Sequence, residues 1–229
     1  MSYPVSFEAD YLEQRSRLTS FFRLLLAIPV LFWVAIYGIA AFFVWIAAWF
    51  AIVFTGRYPA GMYRFLADFI TVEVTALSYQ TLLTEPYPPF TASANPDYPV
   101  RMYFAGPLPK YSRAKTFFRG LLAIPIYVMR YASQLMLNAC AFAAWVMSVF
   151  TAKVPRGLFD PMVLASSYIA RSDAYLFLLT ETYPPFQDDQ TRAAGLAESD
   201  QRRTVLQDAA PHTTVLAEGD LRAPEFDDS

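Results

Sequence analysis

From Leu24 to Phe54 the chain reads LLLAIPVLFWVAIYGIAAFFVWIAAWFAIVF, with no charged side chain anywhere in the run. About 20 such residues already cross the hydrocarbon core of a bilayer at a rise of roughly 1.5 Å each. A soluble domain spreads its apolar residues periodically, and a chain of 229 residues cannot surround so long an apolar stretch. The run predicts an integral membrane protein. No cleavable leader is expected, because Glu8, Asp10 and Glu13 precede any basic residue and no short apolar stretch with a small-residue cleavage site follows. The first hydrophobic segment is expected to direct insertion itself.

The rest of the chain is organised by an internal repeat. Sliding the sequence on itself until Ser16 meets Ser112 aligns its two halves without a gap. FFRLLLAIP (Phe21–Pro29) then meets FFRGLLAIP (Phe117–Pro125), and Ala47-Ala48-Trp49 meets Ala143-Ala144-Trp145. Pro59 and Gly61 meet Pro155 and Gly157, and YQTLLTEPYPPF (Tyr79–Phe90) meets YLFLLTETYPPF (Tyr175–Phe186). The division that follows is an N-terminal segment 1–14, a first membrane repeat 15–90, a proline-rich linker 91–110, a second repeat 111–186 and a tail 187–229. The expected fold class is all-α. Each repeat reads as an amphipathic lead-in helix, an apolar transmembrane helix and a second amphipathic or transmembrane helix. Pro and Gly punctuate the turn between the two long helices, and YPPF stops the second.

Charge separates along the chain. Residues 1–186 hold 14 Lys/Arg against 10 Asp/Glu, whereas residues 187–229 hold 4 against 10. The acidic tail carries little apolar surface and is expected to be disordered. If each repeat crosses twice, both lead-ins, the linker and the tail share the strongly basic side. Both termini are then expected in the cytoplasm of a multi-pass protein of the cell membrane.

In this order FFRLLLAIP, an apolar helix ending AWFAIVFTGRYPAG and a closing Y-x-x-LLT-E-x-YPPF resemble the bacterial inner-membrane proteins grouped as domain of unknown function 4389. The resemblance covers about residues 15–90 and 111–186. Repeat two departs from it, with Lys153-Val154 replacing Arg-Tyr and with Arg130 and Asn138 interrupting the apolar helix. The resemblance implies a small helical membrane protein and no catalytic residue.

Little in the sequence carries chemistry. His212, the only histidine, lies in the tail, which excludes a histidine-based triad or a histidine metal site within the membrane part. Cys140, the only cysteine, sits in an apolar run and reads as a packing residue. No phosphate-cradling glycine motif occurs, and the scattered basic residues give nucleic-acid binding no support. We therefore expect no enzyme, no cofactor, no metal and no nucleic-acid partner. Two residue sets remain. Arg17, Arg23, Arg113 and Arg119 recur at predicted helix boundaries, where they are candidate contacts to lipid phosphate. Arg64, Asp68, Glu73, Asp160, Arg171 and Asp173 form a candidate intramembrane polar site. The first set fits a scaffold, accessory or lipid-interacting membrane protein whose partners are the bilayer and a membrane protein or second copy. The second set fits a small transporter or channel.

Overall fold

The computed structural model describes residues 3–12, 14–92 and 98–186, within a compact unit, Met1–Asp189. The tail expected to be disordered lies outside the described residues. Repeat one forms two helices, α1 (Arg17–Thr55) and α2 (Ala60–Gln80). Ser16 caps α1, its hydroxyl accepting from the Thr19 N–H. Gly56 ends α1 in the left-handed region at φ 71°, its N–H returning to the Ile52 carbonyl. Pro29 stays inside this one continuous helix, so the expected separate lead-in does not form in repeat one.

Repeat two breaks the same stretch into α3 (Arg113–Phe117), α4 (Arg119–Leu122) and α5 (Ile124–Thr151), followed by α6 (Arg156–Leu176). The interruptions fall at Phe118 and Ala123, on either side of Gly120, which stands where repeat one has Leu24. Glycine costs a helix interior about 1 kcal/mol relative to a good helix former, and Pro125 adds a missing N–H donor two positions beyond Ala123. With Leu at the first site the helix runs through its proline; with Gly it does not.

Both second helices end on a leucine in the left-handed region, Leu82 at φ 63° and Leu178 at φ 67°. The paired bonds of a Schellman turn close each end. Leu83 N–H reaches Ser78 O at 2.9 Å, and Leu179 N–H reaches Ala174 O at 2.9 Å.

The fold is not all-α. β1 (Val5–Ala9) in the N-terminal segment pairs antiparallel with β2 (Val100–Phe104) in the proline-rich linker. Val5 opposes Phe104, Phe7 opposes Met102 and Ala9 opposes Val100. Tyr3-Pro4-Val5 recurs as Tyr98-Pro99-Val100, so each strand opens its own repeat. Under that alignment the pair Val5–Phe104 maps onto the pair Val100–Ala9. The register is therefore that of a local two-fold axis through Phe7 and Met102.

Contacts elsewhere obey the same axis. Arg15 N–H donates to Ala152 O at 2.8 Å, and Tyr111 N–H donates to Gly56 O at 2.9 Å. Trp49 Nε1 donates to Thr116 O at 3.1 Å, and Trp145 Nε1 donates to Ser20 O at 3.0 Å. Each bond is the repeat-exchanged image of the other. The long helices are thus antiparallel, with the start of each repeat against the α1–α2 or α5–α6 turn of the other. Both lead-ins cannot then lie on one side of a bilayer with both turns on the opposite side, which corrects the charge-based arrangement expected from sequence.

The elements stack in three layers. The sheet packs on α2 and α6, which in turn pack on α1 and α5. The middle layer is the core: α6 is buried at every position from Ala165 to Tyr175. Val5 and Phe7 close it from the sheet side. The outer layer differs. α1 and α5 are long and apolar enough to cross a membrane, yet only 17% and 22% of their most apolar windows are buried. A soluble core helix hides its apolar face; these two display it. The exposed side chains include Phe32, Ile39, Phe43, Phe54, Val128, Phe142 and Phe150. Packing and burial place the second helix of each repeat, α2 and α6, in the interior.

Candidate functional site

Four arginines stand out in the sequence, and the structure divides them. Arg17 and Arg113 are exposed at the starts of α1 and α3. Arg23 and Arg119 are buried, at 1% and 7% exposure. The Arg23 guanidinium lies 4.5 Å from the Tyr79 ring centroid and 3.2 Å from a Glu85 carboxylate oxygen. That of Arg119 lies 4.0 Å from the Tyr175 ring, and its two terminal nitrogens donate to the Thr180 carbonyl. The expected lipid-phosphate role therefore does not fall to Arg23 or Arg119, because their partners are internal; Arg17 and Arg113 keep the required exposure.

These arginines knit the two ends of each repeat together. Glu85 accepts from the Ser16 N–H, and Glu181 accepts from the Ser112 N–H at 2.5 Å, so each closing carboxylate serves a helix N-terminus. Arg15 adds a bond to Leu83 O at 3.1 Å and lies 3.8 Å from Glu85. Tyr111 replaces it in repeat two and reaches Leu179 O at 3.5 Å, the equivalent acceptor. Burial pulls the Arg15 pKa below the ordinary arginine value, and the Glu85 charge opposes that shift. The E-x-YPPF segment that recurs in both repeats is thus a clasp.

The intramembrane set also divides. Asp68 and Arg64 are exposed on α2, and Asp160 is exposed near the start of α6. Arg171 is buried and bonds its own helix at Ser167 O, 3.1 Å away. Only Glu73 and Asp173 converge. They line a cavity of about 170 Å³ with Leu31 and Val34 from α1, Gln80 from α2, and Arg130 and Gln134 from α5. Arg130 grips Asp173 with two bonds, Nε to Oδ1 at 2.7 Å and a terminal nitrogen to Oδ2 at 3.0 Å. The repeat images of Arg130, Glu73 and Asp173 are Val34, Ile169 and Leu77, and all three line the same cavity. The cavity therefore sits on the two-fold axis, and one repeat has placed its charge opposite apolar counterparts in the other. Two carboxylates face one guanidinium.

Sequence reasoning missed Arg130 as a member of this site. Its signal was present, since it is the only charged residue within α5. An unpaired charge costs about 2.5–3.5 kcal/mol at membrane depth on insertion scales, so it demands a partner. Among the described residues no group of three or more His, Cys, Asp or Glu side chains converges as a metal site.

The motifs that build the clasp and the turns fall inside two stretches, 17–92 and 113–187, that match one family model, described as Domain of unknown function (DUF4389). The chain belongs to this family. In this DUF4389 protein the two matched stretches are the two structural repeats, each holding a long apolar helix, an interior helix and the Tyr-Pro-Pro-Phe clasp. The strands β1 and β2 lie outside both matched stretches. No curated protein and no solved structure matches the chain.

Proposed function

We propose that this DUF4389 protein is a non-enzymatic, lipid-interacting membrane protein that lies along one face of the bilayer, with α1 and α3–α5 sunk in the hydrocarbon and the sheet in water. One observation carries the reading: large apolar side chains are exposed over the outer helical layer, while the opposite layer is a sheet bearing Glu8, Asp10 and Arg101. Arg101 lies 2.8 Å from an Asp10 oxygen and 3.7 Å from a Glu8 oxygen. If the helices stood upright, the two-fold axis would lie in the membrane plane and bring this ion-pair cluster close to the bilayer centre. Lying flat, the axis runs along the membrane normal and the cluster meets water. The dimensions agree. A helix of 39 residues is ~58 Å long, nearly twice the ~30 Å hydrocarbon thickness, whereas its ~10 Å diameter fits within one leaflet.

The arrangement of charge supports the same placement. Because each lead-in meets the opposite turn, Arg17 shares an end with Lys153 and Arg156, and Arg113 and Lys115 share the other with Arg57. Basic side chains thus mark both ends of the long helices, and both ends meet headgroups.

The test is vesicle flotation of the full chain. The wild type floats with phosphatidylglycerol-containing vesicles and resists alkaline carbonate. Phe32→Glu with Phe43→Glu loses retention, and Ser6→Glu in the sheet does not. A chain that stays monodisperse in buffer without detergent or lipid contradicts the reading.

A further inference from the structure

The membrane placement leaves the charged cavity on the two-fold axis without a role. Arg130 on α5 holds Asp173 on α6 through two bonds, 2.7 and 3.0 Å long, and the Asp173 side chain is only 5% exposed. Glu73 enters the same space from α2. Among the described residues it has no hydrogen bond and no ion pair within reach. The other elements turn Leu31 and Val34 (α1), Arg130 and Gln134 (α5), and Ile169 and Asp173 (α6) toward the cavity. Arg130 and Asp173 are therefore the charged groups that share it with Glu73. Arg64, Asp68 and Arg171 do not line it.

Size and donors narrow what such a cavity takes. Its volume of about 170 Å³ lies below the ~300–1,000 Å³ of small-molecule sites. A calcium-type cation takes about six to eight oxygen ligands, which two carboxylates do not supply when one is already engaged by Arg130. Two carboxylates and one guanidinium leave one negative charge without a counter-charge among mostly apolar walls. An uncompensated buried carboxylate takes up a proton instead. The guanidinium fork is committed to Asp173, so the proton falls to Glu73. Burial raises the Glu73 pKa, the Asp173 charge adds to the shift, and Arg130 opposes it.

We infer that the axial cavity is a proton-binding site: Glu73 stays protonated at neutral pH and releases its proton to water in mildly alkaline solution, where its carboxylate competes with Asp173 for Arg130. The bound proton thereby secures α5 to α6. Its loss draws the guanidinium toward α2 and loosens that contact. The way out for the proton is beside Arg130, whose side chain is 29% exposed. The site does not depend on whether the long helices lie flat or upright.

Infrared spectroscopy of the detergent-solubilised full chain reads the proton directly. Near neutral pH the C=O stretch of a protonated carboxyl is present; it fades as the solution becomes alkaline and is absent from Glu73→Gln. The unfolding midpoint gives a second reading. The folded carboxyl titrates above the unfolded value of about 4.3, so its contribution is complete below that value and is lost as pH rises through the folded one. The wild-type midpoint should fall between about pH 5 and 9. Glu73→Gln keeps the shape of the protonated acid, so it should match the wild type at the acid end and show a flatter slope. A neutral-pH band that persists in Glu73→Gln, no such band in the wild type, or an equal slope in both proteins overturns the assignment. So does a wild-type midpoint raised by sodium but not by an equal concentration of tetramethylammonium, which would put a metal cation in place of the proton.

Discussion

Ala152 ends α5 at φ 57°, where the first repeat uses Gly56 at φ 71°. A side chain in the left-handed region costs roughly 1–2 kcal/mol, so Ala152→Gly should stabilise the chain by about 1 kcal/mol, read as a raised unfolding midpoint. Leu82 shows the same strain with the opposite outcome. It is 2% exposed, and burying a leucine contributes about 1.5–3 kcal/mol, more than the backbone strain removes. Leu82→Gly should therefore destabilise despite relieving its φ. At the clasp, Glu85→Gln strips the charge partner from two buried arginines. Breaking a buried pair costs about 3–5 kcal/mol, and partial exposure of Glu85 brings the expectation to about 2–3. Glu181→Gln weakens the bond to Ser112 and removes a longer-range attraction to Arg119 that is no ion pair, and should cost about 1 kcal/mol. A denaturation series that ranks the two carboxylates the other way refutes this division. Tyr98, whose hydroxyl donates to Pro86 O at 3.2 Å, has its pKa pushed up to about 12 by burial. An unfolded tyrosine ionises near 10, so the fold holds this proton longer than the unfolded chain does. Stability should fall as pH rises from about 10 to 12, and Tyr98→Phe should flatten that slope. At this scale the sequence singles out residues by repetition but does not give the direction in which they face. Repetition marked Arg23, Arg119 and Glu85 as important, but boundary position alone does not distinguish a side chain facing lipid from one facing its own repeat.

Elements were legible where apolar runs are long and punctuated by proline and glycine. The long apolar helices, the turns at Gly56 and Ala152 and the stop before each YPPF segment lie close to where the sequence places them. The sheet was not read. β1 alternates Val5 and Phe7 inward with Ser6 and Glu8 between them, a period of two that spans too few residues to stand out before a long helix. β2 was hidden by the prolines around it. The recurrence of Tyr-Pro-Val was available, slipped by one residue from the main alignment. The sheet register gives a direct check in a Cys140→Ala background. Ser6 and Tyr103 are directly opposed, at a spacing suited to a disulfide, so Ser6→Cys with Tyr103→Cys should cross-link on mild oxidation. Ser6→Cys with Arg101→Cys, offset by two positions on β2, should not. Equal cross-linking of both pairs means the register is wrong. The break in repeat two was partly legible, because Gly120 for Leu24 was visible. Its consequence depends on whether a proline nearby tips the helix, which no single position decides.

The whole molecule is a pseudo-symmetric pair whose axis runs through the sheet, the interior helices and the charged cavity. Sequence duplication implied a pair; it could not give the operator. Positive charge at both lead-ins suggested two copies inserted side by side across the membrane. The reciprocal bonds of Arg15 to Ala152 and Tyr111 to Gly56 instead set the long helices antiparallel, and in the proposed flat placement the polar sheet faces water. The charged residues on the axis follow from this geometry. There residues of both repeats face a shared space, and the charges of Glu73, Arg130 and Asp173 meet the apolar images Ile169, Val34 and Leu77. The most direct test of the flat placement is sided labelling of single cysteines in vesicles, in a Cys140→Ala background, at Ser6, Arg57 and Lys153. The sheet and both turns lie on one face, so all three should label from the same side. Opposite labelling of Arg57 and Lys153 would show upright, inverted repeats, and labelling of both turns from the side opposite Ser6 would show upright repeats in one orientation; either result contradicts the account.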